Sequence, residues 1–270
     1  RINHLPGAMD STPTSEAPPA ILVVKEGIAW LTLNRPKQYN ALSAATIDAL
    51  HDAMDKVKGD ESARVLVLAA NGNAYCAGHD LKEMQATDEA CVQRLFARCA
   101  EMMIKIARLP IPVIAEVQGM ATAAGCQLVA QCDLAVAADT ARFAVSGINL
   151  GLFCSTPAVP LSRVISRKRA MEMLMTGEFI DAATAADWGL VNRVVPATGL
   201  REATQALADT LKSKPRQSLA MGKALFYRQL ETGLEAAYQD ASATISCNFM
   251  QAEAREGVAA FLEKRKPLWN

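Results

Sequence analysis

The chain has 270 residues, 51% of them hydrophobic, enough to bury the core of one ordinary domain with a smaller appendage and too many for a disordered chain. Lys and Arg number 28, as do Asp and Glu, so no overall field draws it to nucleic acid or an anionic membrane, and an anionic ligand has to be met locally. The seven cysteines are odd in number and show neither CxxC nor Cys/His ligand spacing, which favours reduced thiols in a reducing compartment over disulfides or zinc.

Residues 1–19 are rich in Pro, Ser and Thr, open with Arg1 and lack the apolar stretch of a signal peptide, so they read as a flexible tail or cloning remnant. Residues 21–24 and 28–33 form a hairpin pattern around Lys25-Glu26-Gly27. Ser43 opens a helix that carries Ile47, Leu50 and Met54 on one face. Residues 64–69 are a buried-type strand, and Asp88 opens a second helix through Val92, Leu95, Cys99, Met102 and Ile106. Residues 112–117 are another apolar strand, followed by a helix from near Ala123 and a third strand at 134–138. Glu116, Gln127, Gln131 and Asp133 interrupt this apolar region before it reaches the ~18 residues of a membrane span. From Arg167 onward the pattern is nearly all helical. Alternating strands and helices imply an α/β core over residues 20–200, with a helical C-terminal part over residues 201–270.

Two short stretches stand out chemically. Tyr-Cys-Ala-Gly-His-Asp-Leu-Lys at 75–82 and Gln-Gly-Met-Ala-Thr-Ala-Ala-Gly-Cys-Gln at 118–127 each follow a buried-type strand. Gly78 and Gly119 permit backbone conformations or close approaches that a side chain obstructs. Ala123-Ala124-Gly125 stands where strand passes into helix, leaving first-turn N–H groups without internal partners. Such groups, at the favourable end of a helix dipole, attract negative charge, so the N–H groups of Ala124 and His79 could face one developing oxyanion. The alternative is a pair of ordinary tight strand-to-helix turns.

Further landmarks favour the chemical reading. Leu33-Asn-Arg-Pro-Lys-Gln-Tyr-Asn-Ala-Leu42, Cys76-Ala-Gly-His-Asp-Leu81, the stretch 117–133 closing on Gln-Cys-Asp, Met175-Thr-Gly177, Asp187-Trp-Gly-Leu-Val-Asn192 and Val194-Val-Pro196 follow one another in order. Together, over roughly residues 20–267, they resemble the enoyl-CoA hydratase/isomerase, or crotonase, superfamily, and within it the hydratase-domain-containing subgroup, which shares the Ala-Ala-Gly-Cys-Gln and Gly-Leu-Phe-Cys-Ser-Thr-Pro patterns. The resemblance implies a ββα-spiral core, a C-terminal helical trimerisation region, and a homotrimer or dimer of trimers. It also implies an acyl-CoA thioester as substrate, coenzyme A entering only as part of it, with no separate cofactor and no metal.

Carried over by position, the resemblance makes the backbone N–H groups of His79 and Ala124 an oxyanion hole for a thioester enolate. The family usually has Gly-Gly-Gly where this chain has Ala123-Ala124-Gly125, but a backbone N–H survives substitution by Ala. The His79 side chain could act as acid or base, yet in this reading the backbone is its functional part. The two glutamates with which family hydratases hold water fall on Gln127 and Gly147, and neither residue exchanges a proton with water. Cys154, Ser155 and Thr156 could contact substrate, although the simpler expectation is a turn whose hydroxyls cap a helix starting near Pro157. For the coenzyme, Lys37, Phe261 and Lys264 are candidates for the phosphate–adenine end, the last two from a neighbouring subunit, with the backbone around Ala77 and Asp80 receiving adenine and pantetheine. Lys264-Arg265-Lys266 equally fits a solvated helix end.

Four roles compete. A hydratase fits the family name but conflicts with Gln127 and Gly147. A decarboxylase of a malonyl-type thioester needs only the oxyanion hole, because loss of CO₂ generates the enolate directly. A thioesterase needs a water activator, and a non-catalytic acyl-CoA-binding protein needs only the scaffold. A cytoplasmic location is expected, or the mitochondrial matrix if the native chain carried a transit peptide.

Overall fold

The computed structural model describes residues 17–269. The expected tail lies outside the described residues as far as position 16. Its last residues are tied down: the Pro19 carbonyl accepts from the Asn34 N–H at 2.8 Å and the Pro18 carbonyl from the Asn34 side chain at 3.1 Å.

Strands β1 (Ala20–Lys25) and β2 (Ile28–Leu33) form the expected antiparallel hairpin, pairing Ala20 with Leu33 through Lys25 with Ile28. Strand β2 then starts a parallel run with β3 (Val65–Ala70), β5 (Val113–Val117), β7 (Leu134–Ala138) and β10 (Arg193–Val195), giving the order β1-β2-β3-β5-β7-β10. A second sheet, β4-β6-β8-β9, is made of β4 (Ala74–Cys76), β6 (Met120–Thr122), β8 (Arg142–Ala144) and β9 (Ile180–Asp181). Each of the first two crossings therefore leaves a first-sheet strand, adds a second-sheet strand and returns through helix: α1 (Ala44–Gly59) precedes this pattern, α2 (Leu81–Gln85) and α3 (Glu89–Arg108) follow β4, and α4 (Ala124–Gln131) follows β6; the third adds both β8 and β9 before β10. This is the ββα spiral that the resemblance implied.

Local chemistry starts the helices where expected. The Ser43 hydroxyl accepts from the Thr46 N–H at 3.2 Å to cap α1, and the Asp88 carboxylate accepts from the Cys91 N–H at 2.8 Å to cap α3. Helices α1 and α3 pack on each other and present Ile47, Leu50, Leu95, Met102 and Ile106 to the main core beneath the first sheet.

The region after Arg167 departs from the nearly all-helical expectation, because β9 and β10 each join a sheet edge. Around them run α5 (Ser155–Val164), α6 (Arg167–Thr176), α7 (Ala182–Trp188), α8 (Leu200–Lys212), α9 (Arg216–Gln229), α10 (Leu234–Phe249) and α11 (Ala252–Leu262). Helix α8 covers the opposite face of the first sheet, where Leu200, Leu207 and Ala208 pack with Val65, Val67, Ile114 and Val136. Helices α9 to α11 stand apart from the sheets and pack mainly on one another, with α9 also meeting α3. Helix α9 is fastened there by Lys223, whose ammonium donates to Asp133 at 2.6 Å and to the carbonyls of Ile106 and Ile111, while the Tyr227 hydroxyl donates to Asp133 at 2.6 Å.

Candidate functional site

The spiral brings the two turns against each other. Strands β4 and β6 are parallel neighbours in the second sheet, so the chain leaves both at the same end, into 77–80 on one side and into α4 on the other. Gly78, at φ +92°, has so little clearance that a Cβ there would lie 2.9 Å from the Ala123 Cβ and 3.3 Å from the Ala124 nitrogen. At Gly125 a Cβ would stand 2.0 Å from the Cys76 carbonyl oxygen, so the first turn of α4 lies directly on β4. The Thr122 hydroxyl, donating to the Ala77 carbonyl at 3.1 Å, ties the two turns together.

Within this junction the hydrogen-bond pattern leaves several backbone donors without an acceptor, those of His79 and Ala124 among them. Leu42 bridges the first turn by donating to the Gly78 carbonyl at 2.7 Å and accepting from the Asp80 N–H at 3.2 Å, which skips the N–H of His79 between them. On the other turn the Ala123 N–H goes to the Ala144 carbonyl at 3.0 Å, and the Ala123 carbonyl accepts from the Gln127 N–H at 3.0 Å. The N–H of Ala124, first residue of α4, has no acceptor among the described residues. Ala123 holds this corner at φ 49° and ψ −119°, a conformation that glycine adopts readily and alanine rarely. Sequence reasoning missed this, although a non-glycine in a family glycine position was the available signal.

Residues on both turns carry unpartnered side-chain atoms. Gln127 is 3% exposed and its Oε1 has no partner. Both ring nitrogens of His79 are buried without a partner, and the ring meets Phe96 edge-on at 4.8 Å. Burial pushes the His79 imidazole below its ordinary value, with the Leu42 backbone pulling weakly the other way.

Gly147 lies in the 3-10 turn Ser146–Leu150, and its N–H donates to the Cys154 sulfur at 3.3 Å. A Cβ at this position would stand 2.7 Å from the Leu152 carbonyl oxygen and 2.8 Å from that sulfur. The space that an acid at 147 needs is therefore filled. Burial raises the Cys154 thiol, opposed by the Gly147 N–H, so the thiol keeps its proton at neutral pH. The expected hydroxyl cap is absent: α5 begins at Ser155 after Cys154, no side chain caps it, and the Ser155 hydroxyl donates instead to the Phe153 carbonyl at 3.2 Å.

The coenzyme candidates divide into two groups. Lys37 sits on the exposed 3-10 turn Pro36–Gln38, whose following residue Tyr39 accepts the Ala77 N–H at 3.0 Å, so this turn and Ala77 are neighbours. The N–H groups of Ala77 and Asp80 are both spent within the chain, leaving carbonyl lone pairs and not donors for a ligand. Asp80 caps α2 through Glu83 and pairs with Arg35 at 3.4 Å. Phe261 and Lys264 lie at the end of α11, which packs on α9 and α10. Among the described residues no group of three or more His, Cys, Asp or Glu gathers as a metal site, and no helix is long and apolar enough to cross a membrane. A cleft of about 980 Å³ opens between α5 and α9, past Leu109, Val129, Asp133 and Tyr227, but neither turn lines it.

The landmark motifs and this topology agree with the family comparison, in which the enoyl-CoA hydratase/isomerase model matches residues 24–270. The chain belongs to the enoyl-CoA hydratase/isomerase family. It is 43% identical over 260 residues to enoyl-CoA hydratase domain-containing protein 3, mitochondrial, of Xenopus laevis, covering 96% of this chain and 88% of that protein. The crystal structure of an enoyl-CoA hydratase from Mycobacterium smegmatis superposes with a TM-score of 0.92 at 57% identity, covering 94% of this chain and 99% of that one. That of human enoyl coenzyme A hydratase domain-containing protein 3 gives 0.91 at 42% identity, covering 93% and 100%. The crotonase fold and the hydratase-domain-containing subgroup thus follow from sequence and structure together.

Proposed function

We propose that the protein binds an acyl-CoA thioester with its carbonyl oxygen between the N–H groups of His79 and Ala124, stabilising the enolate form of the acyl group. The observation that carries this reading is that the N–H groups of His79 and Ala124 are both without an acceptor at a junction where Gly78 packs closely on the Ala123–Ala124 turn. Donors of this kind typically contribute about 3 to 4 kcal/mol to a developing oxyanion. Coenzyme A enters as part of the substrate, with Lys37 near its phosphates.

Ordinary hydration is not the reaction proposed. Gln127 carries an amide and Gly147 has no room for a carboxylate, so the two positions that would share a water supply no proton carrier. Loss of both positioned acids removes about 10² to 10⁴ in rate for each proton transfer they would assist. A malonyl-type thioester, whose decarboxylation delivers the enolate without a base, is the second reading, favoured by the same empty acid positions. The name of the Xenopus laevis relative places that protein in mitochondria, and a matrix location is consistent with the reducing compartment that the cysteines suggested.

The deciding experiment measures crotonyl-CoA hydration by the purified protein, alongside its affinity for the thioester. Tight binding with turnover far below about 1 per second supports the proposal. Turnover of about 1 to 10³ per second would overturn it, because another group would then be activating water.

A further inference from the structure

We propose that the imidazole of His79, and not a carboxylate, is the proton carrier of this site, taking a proton from the carbon next to the thioester carbonyl and returning it there. The proposal rests on the oxyanion reading of the two turns and names the chemistry available beside them. Its starting point is a buried polar group without a well-formed hydrogen bond, on which the Leu42 backbone is the one hydrogen-bonding group that acts. Nδ1 and Nε2 of His79 both lack partners, and buried polar atoms in folded proteins seldom stay unpaired without a role.

The surroundings leave the ring neutral and uncommitted. Phe96 of α3 covers one edge, and Leu42, ahead of α1, contributes only backbone. The neighbouring Asp80 turns its carboxylate to Arg35 at 3.4 Å and to the Glu83 N–H at 3.3 Å, and Glu83 in turn accepts from the Ala44 N–H at 2.9 Å. On α3 the Cys99 thiol is pushed up to about 12 and stays uncharged, and the Arg94 guanidinium donates to the Cys91 sulfur at 2.8 Å. No charged side chain contributes to the titration of His79. The other groups expected to move protons are an amide at Gln127 and a glycine at 147, so of the three positions only the imidazole at 79 is a group able to take and return a proton.

The step balances without a co-reactant. The lone pair of the unprotonated ring nitrogen takes the α proton, and the C–H bonding pair becomes the enolate. The charge on its oxygen is met by the N–H groups of His79 and Ala124. The imidazolium then gives a proton back to the carbon, and in heavy water it first exchanges with solvent, leaving deuterium on the substrate. Only the neutral ring can start the cycle, and burial lowers its pKa, so exchange is full at and above the usual histidine range and falls at lower pH as the imidazolium forms.

Substitution of the side chain leaves the backbone N–H in place, which separates the two roles of this residue. The experiment follows loss of the α-CH₂ signal of butyryl-CoA in D₂O by proton NMR, with thioester affinity measured in parallel. Wild-type protein is expected to exchange, and His79→Asn and His79→Gln to bind while exchanging about 10² to 10⁴ more slowly. Variants that exchange at the wild-type rate overturn the proposal, as does a wild-type protein that binds without exchanging. A wild-type rate independent of pH through the histidine range overturns it too, without relying on any variant folding. Absence of thioester binding by the wild type instead overturns the oxyanion reading itself.

Discussion

Ala123 is the residue whose backbone the site uses most unusually. At φ 49° and ψ −119° its Cβ crowds the chain, and such conformations cost about 1 to 3 kcal/mol for a residue other than glycine. The neighbours leave no other way round the corner, because Gly78 lies against Ala123 on one side and its N–H is bound to Ala144 on the other. Ala123→Gly is therefore expected to stabilise the protein by about 1 kcal/mol, the relieved strain exceeding the roughly 0.5 to 1 kcal/mol that a glycine loses in chain entropy. The midpoint of denaturant unfolding should rise with an unchanged slope. A lower midpoint would show that the alanine is not strained and that its methyl contributes packing to the junction. Because the Ala124 N–H keeps its place in either case, thioester affinity should change little.

Among the elements, those legible in the sequence are those set by local chemistry. The hairpin followed from Glu26-Gly27 between two apolar runs, and α1 and α3 from Ser43 and Asp88, whose side chains make the caps that their positions suggested. Strands β4, β6 and β8 escaped because three residues are too few for a period, and their pairing partners lie more than twenty residues away. At the site, the glycines marked the two turns, while the blocked space at Gly147 was invisible because it depends on Cys154 and Leu152 folding back over it. Helix α8 shows a third kind of feature, a contact that neither pattern nor motif announces. Glu116, buried in β5, meets Arg201 of α8 at 2.7 Å, and the Arg201 guanidinium lies 4.1 Å from the centre of the Trp30 ring. Burial raises the Glu116 carboxyl, outweighing the pull of Arg201 and Thr204, so the folded state holds this proton above the pH at which the unfolded chain has released it. Stability from this residue is then greatest at low pH and falls as pH rises from about 4.5 through the raised value. Glu116→Gln removes that titration. Its stability relative to wild type should increase between pH 4.5 and pH 8, measured by denaturant unfolding at both; a difference that stays constant would mean that Arg201 fully compensates the buried charge.

At the scale of the whole molecule, the balanced charge and the well-buried spiral contrast with an apolar face on the C-terminal helices. Leu234, Tyr238, Ile245 and Phe249 of α10 and Phe261 of α11 are exposed, Phe261 by 82%. Faces of this kind mark association surfaces more often than free ones, and further copies of this chain are the cover we propose, as a trimer or dimer of trimers. The same arrangement bears on the ligand. Lys37 belongs to the turn beside Ala77, whereas Lys264 stands at the end of α11, whose packing is on α9 and α10; with the trimer we propose, Lys264 of a neighbouring copy is the one that completes a coenzyme site at Lys37. Two variants test that coupling. Lys264→Ala should weaken thioester binding by roughly tenfold at low salt, as expected for one charge-assisted contact to phosphate, and by less at high salt. Ile245→Glu with Phe249→Glu should lower the mass measured by light scattering to that of a single chain and weaken binding by a similar factor, since each lone chain then lacks its neighbour's Lys264. In that dissociated background Lys264→Ala should have no further effect. Full affinity in the single chain would place the whole coenzyme site within one copy, and a salt-independent Lys264→Ala effect would remove its charge from the contact.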